Sequence, residues 1–328
     1  MISMMQRMPR AALAALAICA LGIGQASAND YPKRPVTIIV PSGAGSSPDV
    51  ITRIVAERLS QSWGQQAVIS NRPGGGGIIA TQAIAGAERD GHTLFMAIAS
   101  IFTVMPELQP KLPLDLDRDL VPIAFIADQP MMIAAHPSLG IGSLAELIAR
   151  GKSRPADLVV GASRGTILHM SWEMFRTRAG IDATFVPYPT ISRAVQDAVG
   201  GTLNVVMESP AGLAPALQSG ALKPLAVAAP TRLSNYPDVP TVAEAVPALD
   251  GFEVGGWLAL MAPSGTPASV VAKLSADVQA VLGQPETKQR LASLASYVRP
   301  LSPDATAAYI RAERARWRPI VRQVGAAQ

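Results

Sequence analysis

Short apolar runs rich in β-branched residues alternate with amphipathic stretches along most of this chain, and no other feature constrains its fold as strongly. Residues 36–40 form the first run, and apolar side chains then recur at helical spacing over residues 51–59. The rhythm restarts after Pro122, where Ser143 and Glu146 have the spacing of a capping box at a helix start. Strands that alternate with helices are typical of parallel sheets with helical crossovers. The sequence therefore predicts an α/β protein with two lobes.

Residues 1–28 have the pattern of a secretory signal. Arg7 and Arg10 precede an apolar run, and small residues that end at Ala28 provide a cleavage site. The only cysteine of the sequence, Cys19, lies inside this segment. We therefore expect a periplasmic protein, exported and cut after Ala28, whose mature form has no thiol for a disulfide, a zinc site or nucleophilic catalysis.

Composition and spacing argue against nucleic-acid, metal and cofactor binding. The formal net charge is only +4 and aromatic residues make up 5% of the chain, which does not indicate a nucleic-acid partner. His92, His136 and His169 are not spaced as metal ligands. The loop at 43–48 lacks the third glycine of a dinucleotide fingerprint, where Pro48 stands instead. We predict neither a metal nor a cofactor.

Two loops of small residues, 41–49 and 161–169, each lie between a predicted buried strand and a helix start. Such loops can present backbone N–H groups and the positive end of a helix to an anion, although they can equally be simple tight turns. Asp49 fits either a helix-start residue or a ligand contact. Arg164 either binds a carboxylate with two parallel hydrogen bonds or lies exposed on its loop.

The second loop also contains the pattern G-x-S-x-G, from Gly161 through Ser163 to Gly165, which is typical of the nucleophile of a serine hydrolase. That chemistry needs a histidine base after the serine. The only histidine that follows is His169, six residues later and within the helix that the loop begins. We therefore predict that the protein is not an enzyme, and a secreted serine hydrolase using Ser163 remains the alternative.

Several further motifs occur in a fixed order from Tyr31 to the C-terminal region. They are Tyr31-Pro32-x-x-Pro35, the 41–49 loop, Asn71-Arg72-Pro73-Gly74-x-Gly76-Gly77, Asp90-Gly91-x-Thr93-Leu94, Val186-Pro187-Tyr188, Gly200-Gly201, Pro237-Asp238-Val239-Pro240-Thr241-Val242-Ala243-Glu244-Ala245 and Ala262-Pro263-x-Gly265-Thr266-Pro267. In these motifs the chain resembles the Bug family, the periplasmic solute receptors of tripartite tricarboxylate transporters.

The resemblance implies a two-lobe periplasmic binding protein of the Venus flytrap type II, with two mixed sheets flanked by helices and two hinge crossings. Residues 31–130 plus 257–328 would form the first lobe and residues 131–256 the second. The ligand would be a mono- or dicarboxylate, an amino acid or an aromatic acid, delivered by a monomeric receptor to membrane permease subunits. A ligand sensor that signals through a membrane partner would use the same binding site.

The resemblance also implies which residues contact the ligand. Its carboxylate would bind amides of residues 42–46 in the first lobe and of Gly165 and Thr166 in the second. The full set of predicted ligand-binding residues is Ser42, Gly43, Ala44, Gly45, Ser46, Asp49, Ser100, Arg164, Gly165, Thr166, His169, Tyr188, Glu208 and Ser209.

Overall fold

The computed structural model of the chain describes residues 31–109 and 111–326, of which those from Pro32 onward belong to one compact unit. The predicted export signal at residues 1–28 lies outside the described residues. None of the helices in the described part of the chain combines the length and the apolar character that crossing a bilayer requires.

Five strands form a first mixed sheet. They are β1 (Val36–Val40), β2 (Ala67–Asn71), β3 (Thr93–Ile98), β4 (Leu120–Pro130) and β10 (Gly255–Pro263). Their spatial order is β2-β1-β3-β10-β4, with β1 parallel to β2 and β3, and β10 antiparallel to β3 and β4. The helices between them are α1 (Ser47–Trp63), α2 (Ile78–Ala85) after a 3-10 turn at Gly75–Gly77, and α3 (Met105–Leu108) after a π-helical turn at Ser100–Val104.

A second mixed sheet repeats this arrangement. Its strands are β5 (Met132–Ala135), β6 (Val159–Ala162), β7 (Thr184–Pro187), β8 (Val205–Glu208) and β9 (Lys223–Val227), in the order β7-β6-β8-β5-β9. Here β6 is parallel to β7 and β8, and β5 is antiparallel to β8 and β9. The helices are α4 (Leu144–Ser153), α5 (Ile167–Ala179), α6 (Ile191–Val199), α7 (Pro210–Gln218) and α8 (Val242–Ala245), with short 3-10 turns at Pro137–Leu139, Pro155–Asp157 and Pro247–Leu249.

Two neighbouring segments connect the sheets. One runs from β4 through Met131 into β5, and the other enters β10 at Gly255, which pairs with Pro130. A Cβ added at Gly255 would lie 3.0 Å from the carbonyl oxygen of Gln129, so a larger residue there would push the two crossing segments apart by a few tenths of an ångström. The two mixed sheets and the paired crossings confirm the predicted fold class, whereas the exact lobe boundaries stay a prediction.

The C-terminal helices α9 (Ala268–Gly283), α10 (Pro285–Ser293) and α11 (Pro303–Ala326) follow β10 in sequence. The buried Trp317 and Ile310 of α11 belong to the largest apolar cluster, which draws on both sheets. Arg314 of α11 also donates a hydrogen bond of 2.8 Å to the carbonyl oxygen of Phe102, in the π-helical turn. The last helix therefore holds the π-helical turn that follows β3.

The predicted capping box at α4 is only half formed. Ser143 Oγ accepts a hydrogen bond from the Glu146 N–H, but the Glu146 carboxylate accepts from the Gly142 N–H rather than from Ser143. A complete capping box begins α8 instead, between Thr241 and Glu244. The spacing alone did not separate the two cases because a carboxylate can bond any free N–H within its reach at a helix start.

Candidate functional site

The two sheets direct their parallel strand ends toward one cavity of about 120 Å³. The segments that follow β1, β3, β6, β7 and β8 all line it. β1 lies between β2 and β3 in the first sheet, and β6 lies between β7 and β8 in the second. The loop that follows each of these two strands therefore lies at the point where the chain connections diverge. Ligands of open α/β sheets bind at such points, beyond the carboxyl ends of the strands. This volume is several times the 10–15 Å³ that a single water requires, so the cavity can hold a small molecule.

The loop between β1 and α1 contributes Ser42, Gly43 and Ser46 to the cavity wall. Two of its amides are used inside the loop, because the Ser46 N–H donates to Gly43 O at 3.2 Å and the Gly45 N–H donates to Asp49 Oδ2 at 2.9 Å. Within the described residues, the amides of Ser42, Gly43 and Ala44 have no hydrogen-bond partner. Ala44 and Gly45 line an adjoining groove rather than the cavity itself.

Asp49 holds this loop in shape and does not line the cavity. The side chain is buried, and besides Gly45 it accepts hydrogen bonds from Asn71 at 2.9 Å and Arg53 at 3.0 Å. Burial opposes its ionisation, but the hydrogen bonds from Arg53, Gly45 and Asn71 outweigh burial and hold the pKa of Asp49 below its usual value. Its oxygens are therefore committed to the protein, which is the helix-start interpretation rather than the ligand-contact one.

The loop between β6 and α5 faces the same cavity through Ser163, Thr166 and Leu168. The two amides predicted to hold a carboxylate here are both engaged: the Gly165 N–H donates to His169 Nδ1 at 3.3 Å and the Thr166 N–H donates to Ser163 O at 3.3 Å. Two amides here have no partner among the described residues, the Ser163 N–H of the loop and the Leu168 N–H in the first turn of α5, and both residues line the cavity.

Ser100 joins the two sides of the cavity. It begins the π-helical turn after β3, lines the cavity, and its Oγ accepts a hydrogen bond of 2.9 Å from the Ile167 N–H at the start of α5. The Ser100 hydroxyl, which follows a strand of the first sheet, therefore accepts a hydrogen bond from one of the N–H groups at the start of α5, a helix beside the second sheet.

His169 is not placed to act as a base for Ser163. The ring is buried, its centroid lies 4.4 Å from that of Phe185, and Nδ1 accepts from the Gly165 N–H. Burial is the main cause that lowers the pKa of His169 to about 4, with Arg164 and Arg176 adding to the effect and Glu173 opposing it. No hydrogen bond between described residues joins Ser163 Oγ to this ring. The G-x-S-x-G pattern therefore forms a tight loop without the serine–histidine pair of a hydrolase.

Arg164 and Tyr188, two further predicted contacts, lie outside the cavity lining. The Arg164 guanidinium lies over the Phe185 ring, 5.7 Å from its centroid. The Tyr188 hydroxyl donates to Asp197 Oδ2 at 2.8 Å, which ties it to α6. The sequence could not show either outcome, because Phe185 and Asp197 reach these side chains only through the packing of the second sheet.

Glu208 and Ser209, at the end of β8, do line the cavity. The Glu208 side chain is only 5% exposed, and its Oε1 accepts from the Ser209 N–H at 2.7 Å and from Ser209 Oγ at 2.8 Å. Burial raises the pKa of Glu208 to about 7, against the opposing effect of the two Ser209 hydrogen bonds. Among the described residues that line the cavity, Glu208 is the one with an ionisable side chain.

Seven of the predicted residues thus meet in the cavity, namely Ser42, Gly43, Ser46, Ser100, Thr166, Glu208 and Ser209. The lining also includes residues that were not predicted from the sequence, among them Gln129, Met131 and Trp257 on the crossing segments and Gly76 after β2. No local pattern could have identified the first three, since their place depends on how β4 and β10 pair. The run of four glycines was the signal for Gly76.

A family model described as the tripartite tricarboxylate transporter family receptor matches residues 51–326. The chain belongs to this family. Protein BugT of Bordetella pertussis is 34% identical to this receptor-family chain over 302 residues, which cover 92% of each protein.

Two solved structures place the fold of this receptor-family chain among binding proteins with carboxylates bound. R. palustris Rpa4515 with adipate has a TM-score of 0.87 and 32% identity, and the match covers 90% of this chain and 99% of that one. MatC from Rhodopseudomonas palustris with bound malate has a TM-score of 0.81 and 32% identity, covering 89% of this chain and 100% of that one. The predicted family and the predicted class of solute-binding proteins are confirmed.

Proposed function

We propose that this protein is a periplasmic receptor that captures a small organic acid between its two lobes and delivers it to the membrane permease subunits of a tripartite tricarboxylate-type transporter. The lobes are residues 31–130 plus 257–328 and residues 131–256, and the receptor works as a monomer. The observation that carries the proposal is a cavity shared by two helix-start loops, one from each sheet, with free amides at Ser42 and Gly43 on one side and at Ser163 and Leu168 on the other.

The electrostatics of the cavity favour an anion held by neutral donors. The described lining residues include no lysine, arginine or histidine. The N-terminal ends of α1 and α5, which have 17 and 13 residues, carry free N–H groups and the positive ends of their helix dipoles. A carboxylate suits these donors, in keeping with the adipate and the malate bound by the similar proteins.

The energy required for capture is within reach of this arrangement. A micromolar dissociation constant corresponds to about 8 kcal/mol. Hydrogen bonds to a charged group contribute roughly 1.5–3 kcal/mol each, so three to five of them, together with apolar contacts to side chains such as Ile98 and Trp257, supply it after the costs of association. Closure of the lobes around the acid then follows because the bound ligand bridges both loops.

A pair of variants at Leu168 tests the proposal. Proline at this position removes the free N–H and is tolerated in the first helical turn, as Pro48 is in α1. Leu168→Ala loses the same side chain but keeps the N–H, so it is the matched control. We expect Leu168→Pro to bind organic acids roughly ten-fold or more weaker than Leu168→Ala, measured by calorimetry on mature protein stripped of co-purified ligand.

Two results would contradict the proposed function. The first is the absence of any thermal stabilisation of the unmodified mature protein by a broad panel of organic acids. The second is equal affinity in the two Leu168 variants, which would show that the α5 end does not hold the ligand.

A further inference from the structure

The acidic residue at the end of β8 is an unusual feature of a site that binds acids. Glu208 lines both the cavity and the adjoining groove, and it is the one ionisable group among the described residues of either lining. As a buried carboxylate it would repel an anionic ligand more strongly than a surface carboxylate, whose charge water screens. Its role in ligand binding therefore depends on which protonation state faces the cavity.

The hydrogen bonds of Glu208 orient its two oxygens differently. Oε1 accepts from both the N–H and the hydroxyl of Ser209, so its lone pairs are occupied. Oε2 has no partner among the described residues. Gly212 of α7 also packs closely against this side chain, since a Cβ there would lie 2.7 Å from Glu208 Cγ. In the neutral acid the proton therefore belongs on Oε2, which leaves an O–H free to donate.

The elements packed around Glu208 provide no charge that would keep it ionised. Met132 of β5 pairs with it across the sheet, and α7 carries no charged residue. On α6, Arg193 forms an ion pair of 3.3 Å with Asp197. At the start of α1, the charge of Asp49 is matched by Arg53. Burial without a cationic partner raises the pKa of Glu208 to about 7, so the neutral form is well populated near neutrality.

We propose that Glu208 in its neutral form donates its Oε2–H to the far carboxylate of a dicarboxylic acid, whose near carboxylate binds the free loop amides. This assignment rests on the proposed function and narrows its ligand to dicarboxylates. The carboxyl–carboxylate hydrogen bond keeps one proton between two acidic groups, as in pairs of carboxyl groups that share a site. When Glu208 is ionised before binding, capture takes up one proton from solution.

The test compares Glu208→Gln with the unmodified protein across pH, using adipate and succinate and the corresponding monoamides as ligands. The amide of glutamine keeps an N–H donor at every pH and an oxygen acceptor for Ser209. For the unmodified protein we expect the affinity for the dicarboxylates to fall roughly ten-fold per pH unit above the Glu208 pKa of about 7, and calorimetry in buffers of different ionisation enthalpy to show proton uptake there. The monoamides and the glutamine variant should show flat profiles.

The exposed Glu88, which pairs with Arg34 on the surface, supplies the matched control Glu88→Gln, whose pH profile should equal that of the unmodified protein. Acid binding whose pH dependence survives Glu208→Gln would overturn the assignment of Glu208 while leaving the proposed function intact. Preference for amino acids, with binding abolished in Glu208→Gln at every pH, would also overturn it, since an ammonium group requires the ionised carboxylate. Failure of every acid to bind at any pH would overturn both proposals.

Discussion

Gly161, the third of the four residues of β6 and just before the loop that lines the cavity, lies against the side chains of Tyr188 and Leu203. A Cβ added there would lie 2.8 Å from Cε2 of Tyr188 and would collide with Cδ1 of Leu203. Tyr188 is tied by its hydroxyl to Asp197, and Leu203 is fully buried in the apolar cluster between β5, β8, α6 and α7. Because neither neighbour can retreat freely, we expect Gly161→Ala to destabilise the protein by about 1–3 kcal/mol.

The size of the clash can be separated from other effects with a double-mutant cycle. Leu203→Ala alone should cost about 2–5 kcal/mol, because it leaves a cavity in the core. In the double variant the new methyl group occupies part of that cavity, so the combined loss should be smaller than the sum by about 0.5–3 kcal/mol. Urea unfolding followed by tryptophan fluorescence measures all four proteins.

Gly283→Ala is the control, because a Cβ at the end of α9 meets nothing within 4 Å, and it should be neutral or stabilising by up to about 1 kcal/mol. A Gly161→Ala protein within about 0.5 kcal/mol of the parent, or strict additivity in the cycle, would refute the steric reasoning. The first glycine of the G-x-S-x-G pattern would then need another explanation.

Two further predictions concern the second loop. Burial lowers the pKa of His169 to about 4 in the folded protein, whereas the unfolded chain takes up this proton near pH 6.5, so the free energy of unfolding should fall by at most about 3 kcal/mol as the pH drops through that interval. The difference in free energy of unfolding between His169→Gln and the parent, measured in urea, should therefore change by that order between neutral and acidic pH. A constant difference would show that burial does not shift the pKa of this histidine. Arg164→Ala should leave the affinities for mono- and dicarboxylates within about two-fold of the parent, because the guanidinium lies over Phe185 and outside the cavity lining. A selective loss of dicarboxylate binding, measured by calorimetry, would show instead that this arginine contacts the ligand.

The sequence predicted the parts of the site that depend on chain-local geometry. A buried strand followed by small residues and an amphipathic helix places the loop at a strand end, and this is where Ser42, Gly43 and Thr166 lie. The repeated rhythm of strands and helices likewise predicted two α/β units, and the two sheets have that alternation. These features follow from the hydrophobic periodicity of strands and helices and from the unpaired N–H groups at every helix start, and both can be read from a sequence.

The roles of Asp49, Gly165 and Gln129 were not predictable, because distant partners decide where their polar atoms point. Asp49 is turned into its own loop by Asn71 and Arg53, and the Gly165 amide is used by His169. Conversely, Gln129 reaches the cavity only because β4 ends beside β10. The residue type determines which hydrogen bonds a side chain can form, whereas the fold determines which partners lie within reach.

The position of β10 has a consequence for the order in which the molecule can assemble. All strands of the second sheet lie between Met132 and Val227, whereas β10, which separates β3 from β4, begins only at Gly255. During synthesis from the N-terminus, all strands of the second sheet are therefore available before β10 is made. Until then the edges of β3 and β4 that pair with β10 stay unpaired. Unpaired strand edges can pair with other chains, so a truncation before Gly255 would produce an aggregation-prone fragment in which only the second sheet has all its strands.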